Sequence, residues 1–151
     1  MSTPSSTGQL KILLVDDNGT LLQTLQLALE TLGPFTVECA TNGVEGLERY
    51  FEVHPDCVVI DVKMPALDGY QLVRALRGDR ASANTPLVML SAMGREKEQL
   101  AGLLSGADIY LVKPVPPQEL VAAIRRAVSL NGTDRQENQL RLLEELPPKN
   151  L

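Results

Sequence analysis

The sequence lacks the segments that a membrane or an export route requires. No apolar run approaches the length of a membrane span. The Ser/Thr-rich start, residues 1–8, has neither the basic region nor the apolar core of a signal peptide. Basic residues number 14 against 19 acidic ones, and the net charge of -5 does not favour nucleic acid or an anionic membrane as a direct partner. We therefore expect a cytoplasmic protein with no direct nucleic-acid contact and no membrane contact.

Residues that bind transition metals are also few. The two cysteines, Cys39 and Cys57, lie in apolar, strand-like runs, which predicts two buried and reduced thiols. The one histidine, His54, lies beside Pro55 and is expected at the surface. Because no Cys/His cluster has the spacing of metal ligands, the sequence gives no indication of a Cys/His metal centre.

What the chain does contain is a regular alternation of apolar runs. With 151 residues, 44% of them hydrophobic, it is long enough for one domain with a core. Five runs predict strands, at 10–15, 35–40, 57–61, 86–90 and 108–112. The third has two adjacent valines and an isoleucine without polar alternation, which indicates a strand buried on both faces.

Between these strands, apolar residues recur at helical spacing. The predicted buried faces are Leu22, Leu25, Leu29 and Leu32; Val44, Leu47 and Phe51; Leu72, Val73 and Leu76; Leu100, Leu103 and Leu104; and Leu120, Ile124 and Val128. Asn42 and Asp68 are placed to cap the second and third helices. Five strands alternating with five helices predict an α/β fold, with a parallel sheet and helices on both of its faces.

Polar residues follow four of the five predicted strands. Asp16-Asp17 follow the first, Asp61 ends the third, Ser91 follows the fourth and Lys113 follows the fifth. In a parallel sheet these ends share one edge, where the carboxylates would repel one another unless a cation lay between them. Magnesium suits such oxygen ligands, and Lys113 with the Ser91 hydroxyl would suit the oxygens of a phosphoryl group on a carboxylate.

Several short motifs accompany these residues in the same order. They are Asp16-Asp17, Asp61 with Met64-Pro65 and Asp68-Gly69, Ser91-Ala92, and the run from Gly106 to Pro114. Together they resemble the receiver domain of two-component response regulators over residues 10–130. The resemblance implies a flavodoxin-like sheet of five parallel strands in the order 2-1-3-4-5. It also implies that Asp61 accepts a phosphoryl group from a sensor histidine kinase or a phosphotransfer protein.

The resemblance assigns metal ligands as well. Asp17 and Asp61 would bind Mg²⁺ directly, Asp16 directly or through water, and the backbone carbonyl of Lys63 would complete the protein ligands. No other cofactor is implied. Such a protein is a signalling phosphoacceptor rather than an enzyme, although it catalyses its own phosphoryl transfer and dephosphorylation. Lys63 and Met93 flank the expected path of attacking water, so we expect them to set the lifetime of phosphorylated Asp61.

Signal output is implied by the same resemblance. Ser91 would move toward the phosphoryl group, Lys113 would pair with it, and Tyr110 would turn inward. The peptide bond before Pro114 would be cis. The change would reach the face formed by the fourth predicted helix, the fifth strand and the fifth helix. A downstream protein would bind there, or a second copy of the chain would form a homodimer through this face or through a C-terminal helix.

Two other functions fit parts of the pattern. The run from Asp16 to Leu21 is close to the signature of haloacid-dehalogenase-type phosphatases, in which Asp16 would be the nucleophile. Here Asn18 replaces the aspartate that would be the general acid. A receiver-fold interaction module without phosphorylation is the other alternative, although this sequence retains the acids and the lysine. A flavodoxin-like cofactor site is disfavoured because no phosphate-cradling loop follows the first strand.

Both ends of the chain are expected to lie outside the domain. The small polar residues of segment 1–9 predict disorder. Segment 131–151 carries an apolar side, with Leu140, Leu143 and Leu146. This tail is a helix docked on the domain, a dimerising helix or the start of a linker, and the sequence does not choose among these interpretations.

Overall fold

The computed structural model describes residues 9–62, 64, 67–92 and 106–130, together with residues 137, 140, 141 and 144. Five strands and four helices lie in these ranges, and the helices are numbered α1 to α4 in chain order. In sequence they are β1 (Leu10–Val15), α1 (Gly19–Leu32), β2 (Phe35–Ala40), α2 (Gly43–Val53), β3 (Cys57–Asp61), α3 (Gly69–Gly78), β4 (Leu87–Ser91), β5 (Ile109–Val112) and α4 (Pro117–Val128). The five predicted strands are confirmed, with β4 and β5 each beginning one residue later than expected.

The strands form one sheet in the order β2-β1-β3-β4-β5, and every neighbouring pair is parallel. The predicted order is therefore confirmed. Val15 lies opposite Ile60, and Asp61 lies opposite Leu90. This register brings the carboxyl ends of β1, β3 and β4 to the same edge of the sheet, which is the edge where the predicted site lies.

Helices cover both faces of the sheet. Leu22, Leu25 and Leu29 of α1 pack with Leu120 and Ile124 of α4 in one hydrophobic cluster. The other cluster holds buried side chains of α2 and α3, namely Tyr50, Leu72, Val73 and Leu76. Alternate residues of β3 enter the two clusters, with Val59 in the first and Val58 in the second. All five residues of β3 are buried, as predicted for a central parallel strand, because each face has a helical layer to pack against.

The predicted buried face of α2 is wrong. Val44 and Phe51 are 48% and 40% exposed, and only Leu47 packs partly against the core. The buried residues of α2 are Gly43, Gly46 and Tyr50. The helix is therefore rotated relative to the face that its apolar residues predict.

Close packing against β1 explains this rotation. A Cβ atom at Gly46 would lie 3.0 Å from both methyl carbons of Val15, so α2 approaches the strand through its glycine rather than through a large side chain. Tyr50 follows on the same side, where its hydroxyl lies 2.6 Å from the Thr85 hydroxyl and so has a buried hydrogen-bond partner. A smaller departure occurs in α1, where Leu32 is 42% exposed at the helix end.

The predicted helix caps are confirmed. The Asn42 side chain accepts a hydrogen bond from the backbone N–H of Glu45 at 2.8 Å. Asp68 and Gln71 form a reciprocal capping box at the start of α3. Asn18, which the sequence analysis did not treat as a cap, starts α1 in the same way by accepting from Leu21.

The two cysteines differ in burial. Both cysteines are thiols outside any disulfide; Cys57 is buried, as predicted, whereas Cys39 is only partly buried. His54 ends α2 at the surface with a positive φ of 52°. Within the described ranges, every helix falls short of the length and apolar content that spanning a membrane requires.

Some predictions concern residues outside the described ranges. These are the disorder predicted for segment 1–9, except at Gln9, the helix predicted around Leu100 to Leu104, and the predicted roles of Lys63, Pro65 and Met93. Most of the tail 131–151 also lies outside the described ranges. Its four described residues are helical and exposed, with Leu140 63% exposed.

Candidate functional site

Three carboxylates meet at the carboxyl edge of the sheet. Asp16 and Asp17 directly follow β1, and Asp61 is the last residue of β3. One oxygen from each of the three lies within 4.8 Å of the other two. Asp16 and Asp61 are 4% and 6% exposed, whereas Asp17 is exposed to solvent. This convergence is the one predicted from the parallel topology, and the structure brings the three residues together.

Lys113 is the cation that faces the cluster. Its Nζ lies 2.8 Å from Asp61 Oδ1 and 3.2 Å from Asp16 Oδ2. The backbone N–H of Lys113 donates to the carbonyl of Ser91 at 2.7 Å, which fixes the end of β5 beside the end of β4. The peptide bond from Lys113 to Pro114 is cis, as the resemblance implied. The lysine therefore connects the first, third and fifth strands across the site.

Charge in the site is unbalanced. Burial raises the pKa of the Asp61 carboxyl, and the charges of Asp16 and Asp17 act in the same direction, while the hydrogen bond from Lys113 opposes them. For Lys113, burial acts to lower the pKa, but the hydrogen bond to Asp61 and the charges of Asp61 and Asp16 outweigh it and raise the pKa. Among the residues that the structure describes here, three carboxylates thus face the ammonium group of Lys113.

The donor set fits a divalent cation. Carboxylate oxygens are hard ligands of the kind that Mg²⁺ prefers, and the cluster has more negative charge than Lys113 neutralises. The exposure of Asp17 leaves the cluster open to solvent on one side, which suits an ion that keeps part of its water shell.

Ser91 lies on β4, which neighbours β3, and Tyr110 lies on β5, the next strand along the sheet. Ser91 ends β4 and is 3% exposed, one residue beyond the position opposite Asp61. Tyr110 lies in β5, the edge strand, and its partly buried side chain packs against the cluster shared with α2 and α3. Both predicted switch residues are thus on elements that border the site, and their switching roles stay predictions.

Two residues near the site have roles that the sequence analysis missed. A Cβ at Gly69 would lie 2.4 Å from the carbonyl oxygen of Asp61, so only glycine allows α3 to begin this close to β3. The backbone N–H of Asn18 donates to Asp16 Oδ1 at 2.9 Å. The Asp-x-Asn spacing, which favours an Asx turn, was the sequence signal for this second contact.

Comparison with known proteins agrees with this geometry. The family model for the response regulator receiver domain matches residues 12–125. The chain belongs to this family. A putative response regulator from Chloroflexus aurantiacus has a solved structure that is 34% identical, with a TM-score of 0.76, covering 81% of this chain and 99% of that one. The family assignment made from the sequence motifs is therefore confirmed, and it gives no support to the phosphatase alternative.

Curated relatives of this receiver domain are transcriptional regulators by name. The chain is 40% identical over 115 residues to "Probable transcriptional regulator ycf27" of Guillardia theta, covering 76% of this chain and 44% of the relative. It is 34% identical over 125 residues to "DNA-binding dual master transcriptional regulator RpaA" of Synechocystis sp., covering 83% and 51%. The chain thus spans about half the length of these relatives.

These names contradict the expectation of no direct nucleic-acid contact. That prediction rested on the net charge of -5, whereas RpaA is named as a DNA-binding regulator. The net charge of a receiver domain reports on its own surface only. It does not report on the DNA contacts of longer proteins that share this domain over about half of their length.

Proposed function

We propose that Asp61 is the phosphoacceptor of this receiver domain and that the donor is a phosphohistidine of a sensor histidine kinase or a phosphotransfer protein. The observation that carries this proposal is the position of Asp61. It is a nearly buried carboxylate at the end of the central strand, 2.8 Å from Lys113 Nζ and beside two further carboxylates. An isolated structural carboxylate would have no need of such surroundings.

The transfer step needs one nucleophile and one leaving group. A carboxylate oxygen of Asp61 attacks the phosphorus atom, forming a new P–O bond. The P–N bond of the donor breaks, its electron pair returns to the imidazole nitrogen, and the product on Asp61 is an acyl phosphate. Because Lys113 holds Oδ1, we assign Oδ2 as the attacking atom. Lys113 stays protonated through the step, since its pKa is raised, and it neutralises charge on the phosphoryl oxygens.

We infer that Asp16, Asp17 and Asp61, with the backbone carbonyl of Lys63, hold Mg²⁺. The bound ion would neutralise the carboxylates and orient the phosphoryl oxygens. In this arrangement Asp16 would be the fixed carboxylate of the site and Asp17 the accessible one. Asp16 is held on both oxygens, while Asp17 presents its carboxylate toward solvent, where the donor arrives.

Signal output follows from the added charge on Asp61. We propose that the Ser91 hydroxyl and Lys113 move to the phosphoryl group and that Tyr110 turns inward. These movements bias an equilibrium between an inactive and an active conformation. The active conformation would present the face that includes β5 to a downstream protein or to a second copy of the chain. Lys63 and Met93 would set how long the acyl phosphate lasts.

The relatives suggest what kind of output is controlled. Since the curated matches are named as transcriptional regulators, we propose that this receiver takes part in the control of transcription, with DNA among the partners of its pathway. We place the receiver domain at residues 10–130, with 131–151 as a tail or linker, and we propose that it works in the cytoplasm.

A matched pair of aspartates tests the phosphoacceptor assignment. Asp56 precedes β3 and Asp61 ends it, and Asp56 accepts a hydrogen bond from the backbone N–H of Lys11 at 2.8 Å. We expect acetyl phosphate with Mg²⁺ to phosphorylate wild type and Asp56→Asn, as seen by intact mass. Asp61→Asn should stay unmodified while keeping the circular dichroism spectrum of the folded protein.

Other outcomes discriminate among the alternatives. Modification of Asp61→Asn would refute the assignment, and an adduct on Asp16 would favour the phosphatase alternative. If wild type, though folded, takes no phosphoryl group from acetyl phosphate or from any histidine kinase, the unphosphorylated interaction module becomes the better interpretation.

A further inference from the structure

Asn18 has no part in the proposed transfer, yet it lies directly beside the acidic cluster. It is the N-cap of α1, with φ -90° and ψ 98°. Its side-chain oxygen accepts from the backbone N–H of Leu21 at 3.1 Å, and its backbone carbonyl accepts from Leu22 at 3.0 Å. Both oxygens of Asn18 are thus bonded to the first turn of α1.

The backbone N–H of the same residue points the other way. It donates to Asp16 Oδ1 at 2.9 Å, while Asp16 Oδ2 accepts from Lys113 Nζ at 3.2 Å. The carboxylate of Asp16 is therefore held between the start of α1 and the end of β5. Of these two contacts, the one from Asn18 joins the carboxylate to a helix.

Helix α1 is a fixed support for this contact. Leu22, Leu25 and Leu29 are all buried in the core between α1 and the sheet. The Asn18 side chain accepts from the backbone N–H of Leu21, and the next residue, Leu22, is the first of α1 to be buried in the core. The orientation of the Asn18 N–H is therefore determined by the packing of the helix as long as the cap keeps the first turn closed.

Such a support matters because the cluster is electrostatically unfavourable. Three carboxylates whose oxygens lie within 4.8 Å of one another repel. The repulsion energy falls if any of these side chains turns away from the others. Asp17 lies between Asp16 and Asn18 in the chain and is exposed, so the backbone of this same turn sets the direction of its side chain.

We propose that Asn18 is a positioning residue of the acidic site: its side chain caps α1, and the cap holds the turn that orients Asp16 and Asp17 for the cation. This inference rests on the Mg²⁺ site of the proposed function. It also gives a role to the residue that separates this sequence from the phosphatase signature. In alanine the side-chain acceptor is missing, so the first turn frays and the N–H at Asp16 loses its fixed direction. In serine the hydroxyl restores the cap.

A second asparagine of the chain provides a matched control. Asn42 caps α2 through the same kind of bond, accepting from Glu45 at 2.8 Å. It does not belong to the acidic cluster formed by Asp16, Asp17 and Asp61. Replacing either asparagine by alanine removes one cap bond from one helix, but only Asn18→Ala removes it next to a carboxylate of the site.

The experiment is calorimetric titration of the full chain with MgCl₂, together with thermal unfolding in metal-free buffer. We expect Asn18→Ala to raise the dissociation constant for Mg²⁺ by about 10-fold, at the lower end of the effect that residues supporting metal ligands have on affinity. Asn18→Ser and Asn42→Ala should stay within about twofold of wild type. Both alanine variants should lose a similar amount of thermal stability, about 2–4 °C.

Each contrary outcome overturns a defined claim. Equal Mg²⁺ affinity of Asn18→Ala and wild type overturns the positioning role, as does an equal loss of affinity in Asn42→Ala. If Asn18→Ser binds Mg²⁺ as weakly as Asn18→Ala does, the lost cap is not the cause of the lower affinity, and the positioning role is overturned. If wild type itself gives no binding isotherm with Mg²⁺, the metal site of the proposed function fails, and this inference fails with it.

Discussion

Asp61 is surrounded by groups that act on its charge in opposite directions. Burial and the neighbouring Asp16 and Asp17 disfavour the carboxylate, while the hydrogen bond from Lys113 favours it. The net effect is a raised pKa, so the folded protein holds the Asp61 proton up to a higher pH than the unfolded chain does. The ionised carboxylate of Asp61 is therefore destabilised in the fold when no cation is bound.

This balance predicts how stability depends on pH. Between the unfolded pKa of Asp61 and its raised folded pKa, the folded state binds more protons, so the contribution of Asp61 to stability falls as pH rises through that window. Asparagine removes the charge. We therefore expect metal-free Asp61→Asn to unfold at a higher temperature than wild type at neutral pH, with an advantage that shrinks as pH falls through the window.

Thermal midpoints of the two proteins, measured across mildly acidic to neutral pH, check this prediction. Lys113 keeps Asp16 as a partner in the variant, so the lysine is not left alone. A difference in midpoint that is independent of pH would show that folding does not raise the pKa of Asp61. A variant less stable than wild type at neutral pH would show that the ion pair with Lys113 outweighs the burial of Asp61.

At the scale of elements, the start of α3 is built directly onto the end of β3. The backbone N–H of Gly69 donates to the carbonyl of Val62 at 2.9 Å, and Asp68 caps the helix. A Cβ at Gly69 would lie 2.4 Å from the Asp61 carbonyl oxygen and 2.8 Å from the Cα of Val62. Because backbone atoms are involved, no side-chain movement relieves this contact.

The two ends of α3 therefore respond differently to the same substitution. We expect Gly69→Ala to lower the free energy of unfolding by about 1–3 kcal/mol through overpacking. Gly78→Ala, at the other end, meets nothing within 4 Å and should be neutral or stabilising by up to about 1 kcal/mol. Urea unfolding of both variants measures the difference. Equal effects would mean that the loop before α3 adjusts and that the close approach is not required.

At the scale of the whole molecule, one arginine joins segments that are distant in sequence. Arg77 of α3 donates from Nε to the Gly106 carbonyl at 2.8 Å and from Nη1 to the carbonyls of Ala83 and Thr85 at 3.0 and 2.6 Å. Its Nη2 lies 3.0 Å from Oδ2 of the fully buried Asp108. The network fastens the start of β5, the edge strand whose other end leads to the lysine of the site.

Removing this arginine should destabilise the entire domain. In Arg77→Met the buried carboxylate of Asp108 keeps the backbone N–H of Leu87 as a hydrogen-bond donor but loses its ion pair. We expect a loss of about 3–5 kcal/mol in the free energy of unfolding. Arg74→Met changes an exposed arginine of the same helix and should stay within about 0.5 kcal/mol. Similar losses from both variants, measured by urea unfolding, would contradict a structural role for the network.

Much of this molecule could be predicted from local patterns. The β3 run has no polar alternation because helices cover both faces of the sheet, so its central position is visible in the residues themselves. The convergence of Asp16, Asp17 and Asp61 followed from topology, since parallel strands end at one edge. Caps at Asn42 and Asp68 followed from the spacing of polar residues. The buried strand and the caps are encoded within a few residues of the positions concerned, and the convergence needs only the order and direction of the strands.

Only the tertiary structure decided the rest. The rotation of α2 onto Gly46, and with it the exposure of Val44 and Phe51, depends on how closely the helix approaches Val15 of another element. The Arg77 and Asp108 pair spans 31 positions, and the Lys113 and Asp16 pair spans 97. Periodicity and spacing determine which residues can form an element and where strands end. Distances between elements depend on packing in three dimensions, which local sequence does not encode, and those distances decide which side chains meet.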